Sequence, residues 1–243
     1  LIFPKLKTDV SYGKLSDGTT KFFFPASPNL TNNISNSYLG IVANPVFSQL
    51  GGIFSAPISL SLNTTDGSSI IYSVDGTNPN PENISLRSYQ YKNTYSFFPG
   101  QPLGQFNTQT YQAFNYTTPI NIVNRTNENN KTSTKTTGIH FIAPNYKIFK
   151  GTVVKARATK TNYISSDVVE QSYFINETGQ NPYQLPIVSL GIQENKLFDF
   201  YSGTYVPGEE LDKYRIQYPN GTDWGTYGVG NYYRDIEMEG TFN

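Results

Sequence analysis

A mostly-β fold is predicted for this chain by three observations. Short segments alternate apolar and polar residues with a period of two, Gly, Pro, Asn and Asp punctuate them, and no long stretch has apolar residues at three-and-four spacing. Taken in order, residues 1–40 read as a strand or two followed by a linker over 25–37, without enough apolar content for a core. Ile58-Ser-Leu-Ser-Leu62 alternates as a half-buried strand does. Ile70-Ile-Tyr-Ser-Val74 follows the turn signal Asp66-Gly67 and is closed by Asp75-Gly76. Thr152-Val-Val-Lys-Ala-Arg-Ala158 puts Val153, Lys155 and Arg157 on one face and Val154, Ala156 and Ala158 on the other. Residues 168–175 add a strand rich in β-branched and aromatic residues. Many short strands between turn signals predict an antiparallel sandwich or barrel over 41–177, with Ile71, Val74, Val154 and Ala156 buried.

Two stretches break the pattern. Residues 87–114, rich in Gln, Asn, Tyr and Pro, read as a long aromatic insertion without a clear period. Residues 124–137 are polar and of low complexity, and read as an exposed loop because they bury too little apolar area to offset their ordering entropy. Past a boundary near 176–186, one short helix is expected over 193–200, making the C-terminal segment a partial α+β piece.

Composition narrows the function. The chain has 243 residues, with 18 basic against 18 acidic side chains. That balance offers no basic arm for nucleic acid. Without Cys there is no disulfide, thiolate metal site or cysteine nucleophile, and the single His140 cannot build a site that needs two imidazoles. His140 lies in the apolar run Ile139-His-Phe-Ile142 and reads as a packed or rim residue. Ser165 and Ser166 lack a nucleophile-elbow context. Apolar runs are too short to span a bilayer. The chain opens at Leu1 without Met or a signal peptide, which suggests a processed or partial product. No cofactor is expected.

Three segments resemble known families. Asp9-Val-Ser-Tyr-Gly-Lys-Leu-Ser-Asp-Gly18, Pro25-Ala-Ser-Pro28 and Asn32 resemble the end of a lamin-tail-like domain over residues 1–40. Pro45-Val-Phe-Ser48, Gly51-Gly52-Ile-Phe54, Ile70-Ile-Tyr-Ser-Val-Asp-Gly-Thr-Asn-Pro79, Tyr116-Thr-Thr-Pro-Ile120 and Gly151-Thr-Val-Val-Lys-Ala-Arg-Ala158 resemble the chitobiase/β-hexosaminidase C-terminal-type domain. That resemblance implies an immunoglobulin-like sandwich over 41–177 of the kind appended to secreted enzymes and surface proteins. The insertions at 87–114 and 124–137 are additions to it. Leu185-Pro-Ile-Val-Ser-Leu190, Lys196-Leu-Phe-Asp199, Gly203-Thr-Tyr-Val-Pro-Gly-Glu209, Asn231-Tyr-Tyr-Arg234 and Ile236-Glu-Met-Glu239 are similar to the opening of the spore-coat-protein-H (CotH) kinase-like family, which makes 183–243 the N-terminal part of such a domain. The family's catalytic and metal-binding aspartates fall beyond the matched region. No catalytic residue carries over, and no activity is expected from residues 1–243 alone.

Candidate sites follow from side-chain chemistry. Nine N-glycosylation acceptors, Asn29, Asn33, Asn63, Asn83, Asn115, Asn124, Asn130, Asn176 and Asn220, compare with about 5 expected from composition. Asn63, Asn124 and Asn130 have the most polar, turn-forming neighbours. Asp235, Glu237 and Glu239 alternate, and on a strand would offer hard oxygen ligands to a divalent cation; the favoured reading is a solvated strand face beside Lys213, Arg215 and Arg234. Glu209, Glu210 and Asp212 form a second acidic set. Tyr89, Tyr91, Tyr95, Phe97, Phe98 and Tyr111 crowd the first insertion, suited to a protein interface or a sugar face; packing against the chain's own sandwich competes with both, and packing or self-association is favoured over sugar binding. The expectation is a secreted or cell-surface structural or adhesion protein whose partners are other extracellular or surface proteins, copies of itself, or glycans. The alternatives are the non-catalytic front of a secreted CotH-type kinase-like enzyme and a carbohydrate-binding module. Neither nucleic acid nor a membrane span is expected.

Overall fold

The computed structural model describes residues 3–220 and 228–242. The chain is mostly β. It opens with β1 (Ser11–Lys14), β2 (Thr20–Phe23) and β3 (Ser37–Tyr38), an antiparallel sheet in the order β1-β2-β3. Asp17 shapes the first turn by accepting from the Thr19 backbone N–H at 2.8 Å. So the first forty residues hold three strands, with Phe23 and Val10 buried, and the stretch expected as linker ends inside the third. Lys7 ties this sheet to the body through the Ser165 carbonyl at 3.1 Å and the Asp167 carboxylate at 2.9 Å.

Next come β4 (Val46–Phe47), β5 (Gly52–Phe54), β6 (Ile58–Leu60), β7 (Leu62–Asn63) and β8 (Ser69–Ser73). An insertion carrying β9 (Arg87–Lys92) and β10 (Phe106–Tyr111) follows, then β11 (Phe114–Asn115), β12 (Ile120–Ile122), β13 (Gly151–Thr159) and β14 (Val169–Ile175). The main sheet runs β11-β8-β13-β14-β5; it is antiparallel except that β5 joins β14 in parallel. The pairs β6–β12 and β4–β7 form the facing layer. Between the layers Leu60, Leu62, Ile120 and Ile122 meet Ile70, Val154, Ala156, Tyr173 and Ile175. This is the sandwich that two-residue alternation predicts, since each strand gives every second side chain to the core. Ile71, Val154 and Ala156 are buried as expected, whereas Val74, at the strand's end, is half-buried.

The outer face of the main sheet is covered too. Lys155 and Glu170 stand opposite each other on β13 and β14 and pair at 3.2 Å. The C-terminal segment crosses them as β15 (Leu190–Gly191) and β16 (Thr241–Phe242), an antiparallel pair. Lys155 Nζ also donates to the Gly191 carbonyl at 3.2 Å. A Cβ at Gly191 would meet the Glu170 carboxylate and the Thr241 hydroxyl, so these side chains would have to shift for any other residue to stand there. Between these strands lie α1 (Glu194–Phe198), the expected short helix, and α2 (Gly208–Gln217).

The second insertion departs from a freely exposed loop. Lys150 donates to the carbonyls of Thr126, Glu128 and Ile148 at 3.1–3.2 Å, and Lys147 to Glu128 and Asn129. Ammonium groups thus take over the backbone acceptors of a segment that has no ladder of its own. Its far end, Lys135 and Thr136, is buried.

Candidate functional site

The first insertion is a hairpin. β9 and β10 pair antiparallel from Arg87↔Tyr111 to Lys92↔Phe106. Alternation places Tyr89, Tyr91 and Tyr111 on one face and Lys92 with Phe106 on the other. Both faces meet the C-terminal segment. Tyr89 packs with Phe198 and Val206, with Tyr91, Tyr111 and Leu197 around them. Tyr95 packs with Phe200 and Leu211. Tyr89 and Tyr95 are only 5% and 9% exposed, so their rings face inward. The Tyr95 hydroxyl accepts from the Gly208 N–H at 3.2 Å, at the start of α2. Burial pushes both hydroxyls above the ordinary tyrosine range. Phe97 is half-buried and its carbonyl accepts from Arg215 at 3.0 Å, while Phe98 lies at the surface. His140 sits at the rim, exposed, its ring edge-on to Phe97 at 4.8 Å; the run around it forms a turn rather than a strand.

Two lysines complete this body. Lys92 is buried against Asp212 of α2 and donates to the Leu103 carbonyl at 2.8 Å. Its ammonium lies 4.7 Å from the ring centres of both Phe106 and Phe200. Lys135, from the polar loop, reaches Glu194 of α1 at 2.9 Å and lies 4.9 Å from the Tyr91 ring. Burial pushes the Asp212 carboxyl above its ordinary range, against the opposing pull of Lys92. Sequence reading passed over these lysines. For Lys92 the signal was present, since Tyr89 and Tyr91 mark a strand on which it falls opposite them; nothing local marks Lys135.

The acidic sets disperse. Asp212 turns inward to Lys92, whereas Glu209 and Glu210 turn out to Arg234, at 2.7 Å from Glu209, and to Lys213. Asp235, Glu237 and Glu239 are exposed on irregular backbone, because the strand expected there begins only at Thr241. Among the described residues no group of three or more His, Asp or Glu is placed to hold a metal ion. Glu237 and Glu239 instead border a cleft with Lys155 and Lys196.

The glycosylation acceptors differ in how free their amides are. Asn29, Asn33, Asn63, Asn115 and Asn124 are exposed. Asn33 and Asn124 accept through Oδ1 from the N–H of the hydroxyl residue two positions on, at 3.0 and 2.8 Å, leaving Nδ2 outward. Asn83, Asn130 and Asn176 spend Nδ2 on the carbonyls of Asn78, Tyr146 and Gln180 at 2.6–2.7 Å. Asn220 is exposed, and the rest of its acceptor triplet lies outside the described residues.

Two surface features remain. A cleft of about 400 Å³ lies between the polar loop, the end of β10 and the start of the C-terminal segment, bordered by Arg125, Lys131, Gln109 and Ile192. On the C-terminal strand pair Leu190 stands opposite Phe242, and both are exposed, with Val188, Leu185 and Tyr183 exposed on the approach. No described helix is long and apolar enough to cross a membrane. Comparison of the chain with family models, with curated proteins and with solved structures finds no match in any of the three.

Proposed function

We propose that this chain is the non-catalytic body of a secreted or cell-surface protein that works by contact with other proteins, in adhesion or assembly. The observation that carries this reading is the apolar strand pair at the C-terminal end. Phe242 and Leu190 are 76% and 63% exposed side by side, with Val188 and Leu185 leading into them. Contiguous apolar surface of this kind costs solubility unless something binds it. The pair lies over the Lys155–Glu170 layer of the main sheet, bonded to it through the Gly191 carbonyl and the Thr241 hydroxyl. Glycans on Asn33, Asn63 and Asn124 fit the same reading, since all three are exposed.

The test is binding by intact producing material. Surface labelling should reach the chain on whole cells, and a partner should co-purify with it and be lost on Leu190→Ser with Phe242→Ser. Peptide mass spectrometry of native material should find sugar at exposed acceptors. Phosphotransfer or glycoside hydrolysis by residues 1–243 would overturn the proposal. A second reading, the front of a CotH-type kinase-like protein, draws on the packing of 183–243 into the same body as the sandwich. The sugar-binding reading has less support, because the Tyr89 and Tyr95 rings are turned away from solvent.

A further inference from the structure

The hairpin presents one strand edge to solvent without the usual protection. Among the described residues β10 has β9 as its only neighbour, and its residues Phe-Asn-Thr-Gln-Thr-Tyr are exposed or half-buried throughout. The strand contains no charge, no Gly and no Pro. Natural sheets blunt their edges by shortness, by Lys or Pro, by bulges or by cover, because an open edge is a template for another strand. The other edges of this chain follow that rule. Among the described residues, every other edge strand except β9 has four residues or fewer. β9 carries Arg87 and Lys92 at its ends, and its outer edge is engaged by the Phe200 N–H on the Gln90 carbonyl at 2.7 Å. On β10, among the described residues, one edge group is answered: the Gln109 amide folds back on the Thr110 carbonyl at 2.9 Å. A six-residue uncharged segment with four β-favouring members also has the composition of strands that pair with their own copies.

We propose that β10 is a self-pairing edge through which two copies of the chain join antiparallel into a four-stranded sheet ordered β9-β10-β10-β9. The Gln90 carbonyl is turned away from β10 toward Phe200, so it is Phe106, Thr108 and Thr110, opposite Lys92, Gln90 and Ser88, whose backbone groups face the open edge. The twofold axis falls at Thr108: across it Thr108 meets the second copy's Thr108, Phe106 meets Thr110 and Asn107 meets Gln109. No like charges face each other in this register, and it brings together a Thr–Thr pair at the axis and an aromatic–β-branched pair on each side of it. The assembly stops at two, because pairing uses both β10 edges and leaves outward only the β9 edges already held by Phe200. The contact is small against the ~1,600 Å² of a standard interface, so the dimer dissociates in the micromolar range and the chain is monomeric when dilute. This inference rests on the contact reading and names one such contact.

The experiment is sedimentation velocity from about 1 µM to several hundred µM, with hydrogen exchange at both ends of that range. A reversible monomer–dimer equilibrium is expected, with amides in 106–111 slowed at least several-fold at high concentration. Thr108→Lys places two cations directly opposite each other across the axis and should remove the dimer while circular dichroism stays unchanged. A chain that remains monomeric throughout overturns the proposal. So does a dimer in which 106–111 exchange as fast as in the monomer, an outcome read on the unaltered protein. A dimer that dissociates on Leu190→Ser but persists in the lysine variant would move self-association to the C-terminal patch. That result leaves the contact reading intact, whereas a monomer that also binds no partner counts against both.

Discussion

The sandwich and the body built from the hairpin and the two helices solve the burial problem with different materials. The sandwich core is mostly aliphatic, with Leu60, Ile122, Val154 and Ala156 meeting across two layers around one buried ring, Tyr173. It needs no charge inside it. The second body has aromatic cores around Tyr89 with Phe198 and Tyr95 with Phe200, and it buries Lys92 and Lys135, each against a carboxylate from a helix. An aliphatic core is specified by pattern and volume. A core with buried ion pairs is specified by partners that must both be present, because desolvating two charges offsets much of their attraction. The second body is therefore the more easily broken by a single substitution.

The largest expected effect tests that asymmetry. Lys92→Ala leaves Asp212 buried without its cation, at a cost of about 3–5 kcal/mol. Replacing both partners, Lys92→Met with Asp212→Leu, should recover most of it, since the pair itself contributes little once neither charge is present. In the sandwich, Val154→Ala removes two buried methyl groups and leaves a cavity, costing about 2 kcal/mol. Denaturant unfolding read by far-UV circular dichroism and by tyrosine fluorescence measures all three. A Lys92→Ala cost no larger than that of Val154→Ala would erase the distinction between the two cores. A double replacement as damaging as the single one would show the rings, not the carboxylate, to be what holds Lys92.

A smaller effect concerns the layer where the two regions touch. Gly191→Ala drives a Cβ into the Glu170 carboxylate, so Glu170 must leave Lys155 or β15 must lift. Overpacking of this kind costs about 1–3 kcal/mol. If β15 lifts, amides of 189–191 and 241–242 should exchange faster while those of β13 keep their protection. Equal loosening of β13 would mean that the outer layer and the sandwich unfold as one unit.

The same contrast decides what could be read in the sequence. Strands β6, β8, β13 and β14 stand where alternation places them, because their burial partners are the inward positions of the facing layer and those positions are mostly apolar. α1 was legible for a similar reason, with Leu197 and Phe198 together after a polar start. α2 was not. Its buried residues are Gly208, Leu211, Asp212 and Arg215, so two of four inward positions are charged and no apolar stripe marks the helix. The hairpin carried a period-two signal in Ser88-Tyr-Gln-Tyr-Lys92 and again in Phe106-Asn-Thr-Gln-Thr-Tyr111, hidden by the irregular Pro- and Gly-containing stretch between them. Residues 235–239 alternate acidic side chains yet form no strand, since no described strand pairs with that backbone and alternation of charges alone buries nothing. Lys135 was the least legible: its carboxylate lies 59 residues away on a helix, and only the fold brings them together.

The smallest effect is a difference in sign between the acidic groups of α2. Hydrogen bonding by Lys213 first, and then by Arg234, holds the Glu209 carboxyl below its ordinary range; Arg234 does the same for Glu210. A depressed folded pKa means stabilisation that is present above the unfolded value and lost as the pH falls through the folded one. For these two residues the loss therefore falls below about pH 4.5. Asp212, one turn along, behaves in the opposite sense. Burial raises its pKa, so the folded state binds a proton more readily than the unfolded one, and its contribution worsens as the pH rises above about 4. Both glutamates are largely in water, so their share is a fraction of a kcal/mol, screened by salt. Thermal melts between about pH 3 and pH 7, at low and high salt, separate the two. Arg234→Ala should flatten the acid limb only, and salt should mimic it. Asp212→Asn should flatten the opposite slope and be insensitive to salt, because its charge is shielded by protein and not by ions. An acid limb unchanged in Arg234→Ala would assign it to other carboxylates, and a salt-sensitive Asp212 term would mean that water reaches Lys92, which would make the second body a wet interface rather than a core.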